Sequence, residues 1–329
     1  MRAPGTSTNR KPASVNRFQL RLLQWFDQNK RDLPWRRERD SYRIWVSEIM
    51  LQQTRVAAVI EHYRNFITRF PTVEKLAAAR QSSVLSAWSG LGYYRRARML
   101  HDAAKTIVNQ RAGRVPGTAE EWQQLPGIGS YTSAAIASIA FGEPVAAVDG
   151  NVERVLQRLS GRRLRAGELG QAAGHMLDRK RPSDFNQAMM ELGATICLPR
   201  QPRCLLCPVS ELCVTRGELG GAEKPKRPRK REICYALDCR NGSVFLVQRE
   251  KSAALMPGMW ELPEIASANG SAAIGFRLKH SITVTNYRVN VVLGAAPKET
   301  QGRWIAKSRV LALPLTGLAR KILHKAQVI

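Results

Sequence analysis

The sequence predicts a mainly α-helical domain followed by a smaller α+β domain, and three observations carry that division. Apolar residues recur at helical spacing through roughly the first two hundred residues. Four cysteines then crowd a proline-bent loop from Cys197 to Cys213, ahead of a basic stretch with six cations between Lys224 and Arg231. From Ile233 the pattern changes to alternation, the period of strands.

Charge bounds the partner. Over 329 residues, 52 Lys and Arg stand against 26 Asp and Glu, a net charge of +26 that matches a polyanion. Nucleic acid is the expected partner. A membrane surface is the competing reading, but no stretch reaches the roughly eighteen apolar residues of a spanning helix and no basic amphipathic anchor stands out. Residues 1–16 are basic, polar and free of acids, as in a disordered arm that touches DNA. Pro4, Gly5 and Pro12 argue against a transit-peptide helix, and no apolar secretion segment follows. Reduced cysteines suit a prokaryotic cytoplasm.

Phe18, Leu22, Leu23, Trp25 and Phe26 predict a first core helix that ends at the turn Asp32-Leu33-Pro34-Trp35. The apolar helix Ile44 to Thr54 carries one acid, Glu48. An exposed face, or an ion pair with Arg36 or Arg43, is its ordinary reading. The tryptophan-rich surroundings favour another, a carboxyl whose pKa is lifted so that it donates a proton near neutrality. Helices continue over 56–113, with turns at Pro71 and at Ser89-Gly90-Leu91-Gly92. Tyr93-Tyr94-Arg95-Arg96-Ala97-Arg98 then sets two aromatics among three cations, side chains suited to stacking on bases or wedging between them. A helix with a solvated basic face is the plain alternative.

The chain is organised around Leu125 to Asn151. In Leu125-Pro126-Gly127-Ile128-Gly129, two glycines allow positive φ and let phosphate oxygens reach backbone N–H groups at the next helix, Ser130 to Phe141. That helix is rich in Ala and Ser, so it packs closely, and it ends at Gly142 and Pro144. About twenty residues after the glycine turn comes Asp149-Gly150-Asn151, where Asp or Asn caps a helix beginning near Val152. Further helices fit Val155 to Leu159, Leu169 to Leu177 and Asn186 to Ile196.

Cys197, Cys204, Cys207 and Cys213 leave gaps of six, two and five residues, a density that suits tetrahedral zinc or a cubane cluster. Residues 216–232 read as a linker. Beyond it, 234–239 and 244–249 read as a hairpin on Asn241-Gly242, with Cys234 and Cys239 as packed thiols. A strand pattern covers Ile282 to Leu293, and a last helix covers Gly317 to Lys325.

Val46-Ser47-Glu48-Ile49-Met50-Leu51-Gln52-Gln53-Thr54, Gly90-Leu91-Gly92-Tyr93-Tyr94, the Leu125 turn, Val148-Asp149-Gly150-Asn151-Val152 and Phe185 to Gly193 together resemble the helix-hairpin-helix, or endonuclease III, superfamily of DNA glycosylases. Nearly the whole chain resembles the adenine-excising members. The resemblance implies a mainly α helix-hairpin-helix glycosylase domain over 17–215 with an iron-sulfur cluster loop, the linker, and an α+β Nudix-like lesion-recognition domain over 233–329. The implied cofactor is a [4Fe-4S] cluster on Cys197, Cys204, Cys207 and Cys213. The implied activity is monofunctional hydrolysis of adenine opposite 8-oxoguanine or guanine in double-stranded DNA, by a monomer.

By the same resemblance Glu48 is the acid, Asp149 the anion facing the sugar, and Tyr131 and Asn151 complete the catalytic group. Arg36, Gln53, Thr54, Leu91, Tyr93, Gly127, Gly129, Glu191 and Thr283 contact DNA or the base. Lyase members carry Lys where Tyr131 stands, and thymine-excising members lack the acid at Glu48. A cluster-bearing DNA-binding protein without catalysis is the non-enzymatic alternative. Glu250, Glu261, Glu264 and Glu299 form no adjacent pair of the kind a metal-dependent Nudix hydrolase needs. Met256 to Pro263 matches the family's Gly/Trp/Pro turn, but the Phe-Ser-His reader after His280 appears as Ile282-Thr283-Val284. Ser281, Thr283, Thr285 and Asn286 are left as the reading side chains.

Overall fold

The structure, a computed structural model, describes residues 13–220, 228–266, 274–282 and 284–329. Thr283, residues 1–12 of the expected tail and residues 221–227 of the expected linker lie outside them. In chain order the helices are α1 (Ala13–Asn29), α2 (Ser41–Leu51), α3 (Val56–Arg69), α4 (Val73–Ala77), α5 (Gln81–Ala87), α6 (Arg95–Arg111), α7 (Ala119–Gln123), α8 (Ser130–Phe141), α9 (Gly150–Ser160), α10 (Ala166–Met176) and α11 (Pro182–Thr195). After the cysteine loop come β1 (Arg229–Leu237), β2 (Cys239–Arg240), β3 (Ser243–Gln248), β4 (Trp260–Glu261), β5 (Glu264–Ile265), β6 (Ile274–Ile282), β7 (Thr285–Leu293), β8 (Arg303–Ala306), α12 (Lys307–Val310) and α13 (Gly317–Lys325). Two compact units result: Met1–Gln52 with Arg114–Glu223, and Gln53–Gly113 with Lys224–Ile329. By contacts, residues 53–113 of the expected glycosylase module group with the C-terminal region.

In the first unit, Phe18, Leu22, Leu23 and Phe26 of α1 pack with Val152, Val155 and Leu156 of α9 and with Phe185, Met189 and Leu192 of α11. Each such side chain, once buried, contributes about 1.5–3 kcal/mol of transfer free energy. Trp45 of α2 meets Trp122 of α7 with ring centroids 5.4 Å apart. Helix α8 is buried from Thr132 to Ile139. Its Ala and Ser residues permit this, because Ser133 and Ser138 bond back to the carbonyls of Ser130 and Ala135 and so leave no buried hydroxyl unpaired. Gly142 ends α8 in the left-handed region at φ 73°. Helix α1 already starts at Ala13, so the last residues of the expected tail are helical.

In the second unit, Phe66 anchors α3 against Phe70 and Trp88, with centroids at 4.9 and 5.9 Å. One sheet runs β5-β1-β7-β6; in the other, β3 lies between β2 and β4 and also pairs with β8. Asn241 and Gly242 take positive φ, 48° and 71°, and form the expected turn. The hairpin through it is short, pairing only Cys239 with Val244 and Arg240 with Ser243. Residues 229–237 pair instead in parallel with β7, from Arg229 opposite Thr285 to Leu237 opposite Leu293, so the end of the expected linker is strand. The run Ile282 to Leu293 likewise holds a reversal, since Ile282 closes β6 opposite Thr285 of β7. Cys234 is buried as expected, whereas Cys239 is exposed on its two-residue edge strand. Helix α13 falls where the pattern put it, its Leu318, Ile322 and Leu323 closing a core with Val244, Leu246, Val289 and Val291.

Candidate active site

Glu48 sits on α2, only 5% exposed among the buried Ile44, Trp45, Ile49 and Met50 of the same helix. Neither expected arginine pairs with it: Arg36 bonds Glu191 and Arg43 bonds Glu38. Its partner is Tyr131, the second residue of α8, whose phenol donates to Glu48 Oε2 at 2.7 Å. Burial pushes the carboxyl up to about 7; the Tyr131 hydrogen bond and the Arg36 charge oppose that shift, and the nearby Asp149 charge adds to it. Burial and the carboxylates of Glu48 and Asp149 raise the Tyr131 phenol well above its usual value, so it stays a donor. The result is an acid that holds its proton close to neutral pH.

Asp149 caps α9. Its Oδ1 accepts from the backbone N–H of Asn151 at 2.9 Å and of Val152 at 2.8 Å, and its Oδ2 from Asn151 Nδ2 at 2.9 Å. Three donors hold the carboxylate in one orientation at a helix N-terminus, where negative charge is stabilised. Asn151 thus positions Asp149. Gly193 of α11 lies so near that a Cβ built there would stand 2.5 Å from Asn151 Cβ.

The sequence reading missed two arginines on α9. Arg154 donates to Asn151 Oδ1 at 2.8 Å, to the Gly193 carbonyl at 2.7 Å and to the Cys197 carbonyl at 2.8 Å. Arg158, one turn on, donates to the Leu198 carbonyl at 2.7 Å and to Cys197 Sγ at 3.3 Å. Their four-residue spacing next to Asp149-Gly150-Asn151 was the available signal. One helix therefore carries the carboxylate at its start and grips the cysteine loop along its length.

Glu191 of α11 is 1% exposed and bonded by two arginines: Arg31 through Nε at 2.5 Å and Nη2 at 2.9 Å, and Arg36 through Nη2 at 2.9 Å. Burial alone would raise its pKa, but Arg31 and Arg36 outweigh burial and hold it below the usual range. Arg36 also lies over the Phe26 ring at 5.5 Å. Both expected base-contact residues are thus committed to each other within this unit.

At the glycine turn only Gly127 takes positive φ, 77°. Gly129 is extended at φ −93° as the N-cap of α8, with nothing within 4 Å of a Cβ placed there. Its lack of a side chain therefore relieves neither backbone strain nor a clash. Gln53 is exposed at φ 55°, and Thr54 accepts from Arg96 at 3.1 Å. Tyr93 is 48% exposed at φ 48°, and Leu91, expected beside it at the DNA, is 6% exposed. Of the aromatic and cationic run, Tyr94 is buried and Arg96 turns inward over the Trp88 and Tyr93 rings, which leaves Tyr93 and Arg95 outward. At the β6–β7 tip Ser281 donates to Asn286 Oδ1 at 2.7 Å.

Cys197, Cys204, Cys207 and Cys213 are all free thiols of intermediate burial. Among the described residues, no three His, Cys, Asp or Glu side chains converge as single-ion ligands. The four thiols are nonetheless near neighbours: burial first, then the charges of Cys197 and Cys213, raises Cys204 and pushes Cys207 up to about 11. A tetrahedral ion needs four sulfurs about 2.3 Å from one point. Four cysteines in seventeen residues, with Arg158 donating to Cys197 Sγ and accepting at its carbonyl from Cys213 Sγ, are the donor set that either a tetrahedral ion or a cubane cluster would require.

Residues 46–168 match the HhH-GPD superfamily base excision DNA repair protein model. Over 77% of this chain the protein is 48% identical to the adenine DNA glycosylase of Homo sapiens and 47% identical to that of Mus musculus, covering 58% and 61% of those proteins. It spans about three-fifths of their length. A solved thermostable thymine-DNA glycosylase is 32% identical, with a TM-score of 0.58, over 62% of this chain and 96% of its own. With the glycine turn, the capped Asp149 and the helical fold in place, these likenesses show that the chain belongs to the HhH-GPD superfamily of base excision DNA repair proteins.

Proposed function

We propose that this protein is a monofunctional adenine DNA glycosylase that releases adenine from A:8-oxoguanine and A:G mispairs. The observation that carries the reading is the buried Glu48, held protonated near neutral pH by burial and paired with Tyr131. Adenine leaves poorly until a ring nitrogen is protonated. Glu48 gives its proton to that nitrogen as the C1′–N9 bond breaks, and the bonding pair goes to the base. Positive charge then builds on the sugar, where the pre-oriented Asp149 carboxylate stabilises it. Water adds to C1′ and its proton passes to the Glu48 carboxylate, which restores the acid. Tyr131 offers no amine for a Schiff base, so the strand is left uncut.

Cys197, Cys204, Cys207 and Cys213 would hold a [4Fe-4S] cluster, which would supply a rigid brace beside α9, with Arg158 facing the thiolate of Cys197. Protein purified without oxygen should be brown and carry about four irons per chain; one tight zinc and no iron would overturn that assignment. For catalysis, single-turnover excision should be measured on duplexes with A opposite 8-oxoguanine, A opposite G and T opposite G. The last duplex tests the thymine activity named in the 32% identical structure. Adenine release without strand cleavage is expected, and Asp149→Asn should slow it by about two to four orders of magnitude. Thymine release faster than adenine release would sink the proposal.

Reading of the opposite base is assigned to the β6–β7 tip, through Ser281, Thr285 and Asn286, together with Thr283. Substituting these by alanine should lower the ratio of rates on the 8-oxoguanine and guanine duplexes by about five- to tenfold, the worth of a hydrogen bond or two. An unchanged ratio would remove the tip from that role.

A further inference from the structure

Tyr94 follows the exposed Tyr93 but faces the protein. Its ring is 4% exposed and its phenol donates to the Leu315 carbonyl at 3.0 Å, where Ser89 Oγ donates too at 3.2 Å. Arg320 of α13 donates to the Ser89 carbonyl at 3.0 Å, and Arg98 of α6 donates to the Pro257 carbonyl. Both ends of the Ser89–Tyr94 turn are therefore tied to the C-terminal region within the second unit. Gly90, Gly92 and Tyr93 all take positive φ, at 108°, 71° and 48°, and Arg96 braces the turn from beneath by donating to the Gly92 carbonyl at 3.3 Å. Glycines adopt such φ freely, but the non-glycine Tyr93 keeps it only where its surroundings over-determine the backbone.

Leu315 is a firm anchor. Trp260 N–H donates to the Pro314 carbonyl and Thr316 N–H to the Trp260 carbonyl, both at 2.9 Å. Thr316 then caps α13, whose Lys321 and Lys325 donate to the Lys279 and Arg277 carbonyls of β6 at 2.8 and 2.9 Å. Strand β6 leads to the β6–β7 tip. Hydrogen bonds and the covalent backbone of α13 and β6 thus link the tip to the turn that presents Tyr93.

We propose that Tyr94 is a positioning residue that couples the β6–β7 tip to Tyr93, so that contact with the base opposite adenine sets how readily Tyr93 opens the stack. The idea rests on the adenine-glycosylase reading. Tyr94→Phe keeps the buried ring and removes the donor. In the full-length variant, the unstacking of a 2-aminopurine placed beside the target adenine is followed by stopped-flow fluorescence, with base release and thermal midpoint measured separately. On the 8-oxoguanine duplex the fluorescence rise should slow about fivefold, the scale of one lost hydrogen bond. Its lead over the guanine duplex should shrink, and adding Asn286→Ala should lower that lead no further. Wild-type unstacking in Tyr94→Phe, or an effect fully additive with Asn286→Ala, overturns the coupling whatever the melting shows. Wild-type protein that unstacks the base yet releases no adenine overturns the functional reading alone.

Discussion

On the proposed function, Glu48 ties catalysis and stability to one side chain. As an acid it must hold its proton, so excision should be fastest below about pH 7 and fall roughly tenfold per pH unit above it. The Tyr131 hydrogen bond opposes the rise, so Tyr131→Phe should move that alkaline limb to higher pH; a single-turnover profile with an unmoved limb would separate the phenol from the acid. The folded-state pKa is raised, so between about 4.5 and 7 the native state binds more protons than the unfolded one and stability falls as pH rises. Glu48→Gln should therefore melt higher than wild type at pH 8, by on the order of 3 kcal/mol, while losing excision. Of this residue the sequence displayed the acid in an apolar helix. Tyr131, 83 positions away, was legible only through family resemblance, because no local rule relates the two. Arg154 and Arg158 were hidden for a different reason: many arginines surround them, and only the folded-back loop after Leu192 gives them acceptors.

Among the elements, the glycine turn separates two uses of the same residue. Gly127→Ala should destabilise the fold by about 1 kcal/mol, the cost of a side chain at positive φ. Gly129→Ala meets open space and extended backbone, so it should fold normally yet bind duplex DNA more weakly, because the methyl stands where phosphate would approach. Equal DNA affinity for the Gly129 variant would show that this turn does not touch the backbone. Gly193→Ala should lower both melting temperature and excision, since its Cβ would push α11 off Asn151. Helices α8 and α13 were legible to the residue because their capping signals sit in the residues that immediately flank them, Gly129 and Gly142 for α8 and Thr316 for α13. Strand partnership was not. The Asn241-Gly242 turn marks a reversal but says nothing of β7, more than forty residues beyond it, which claims β1.

For the whole molecule, a net charge of +26 predicts that duplex affinity falls steeply with salt. A log-log slope near −5 or steeper is expected if about six or more phosphates are neutralised; a flat slope would assign the charge to some other partner. Contact between distant stretches also governs how the molecule comes into being. Residues 1–52 share a unit with 114–223, and Arg31 lies 160 positions before its partner Glu191. At about 5–20 residues per second, a growing chain waits roughly ten to thirty seconds between making α1 and making the α11 that covers it. Phe18, Leu22 and Phe26 are not fully covered until α9 and α11 have both been made, and until α8 emerges Glu48 has no phenol beside it. A ribosome stalled short of α8 holds a nascent chain with a sticky amphipathic helix and an acid whose phenol partner has yet to be made.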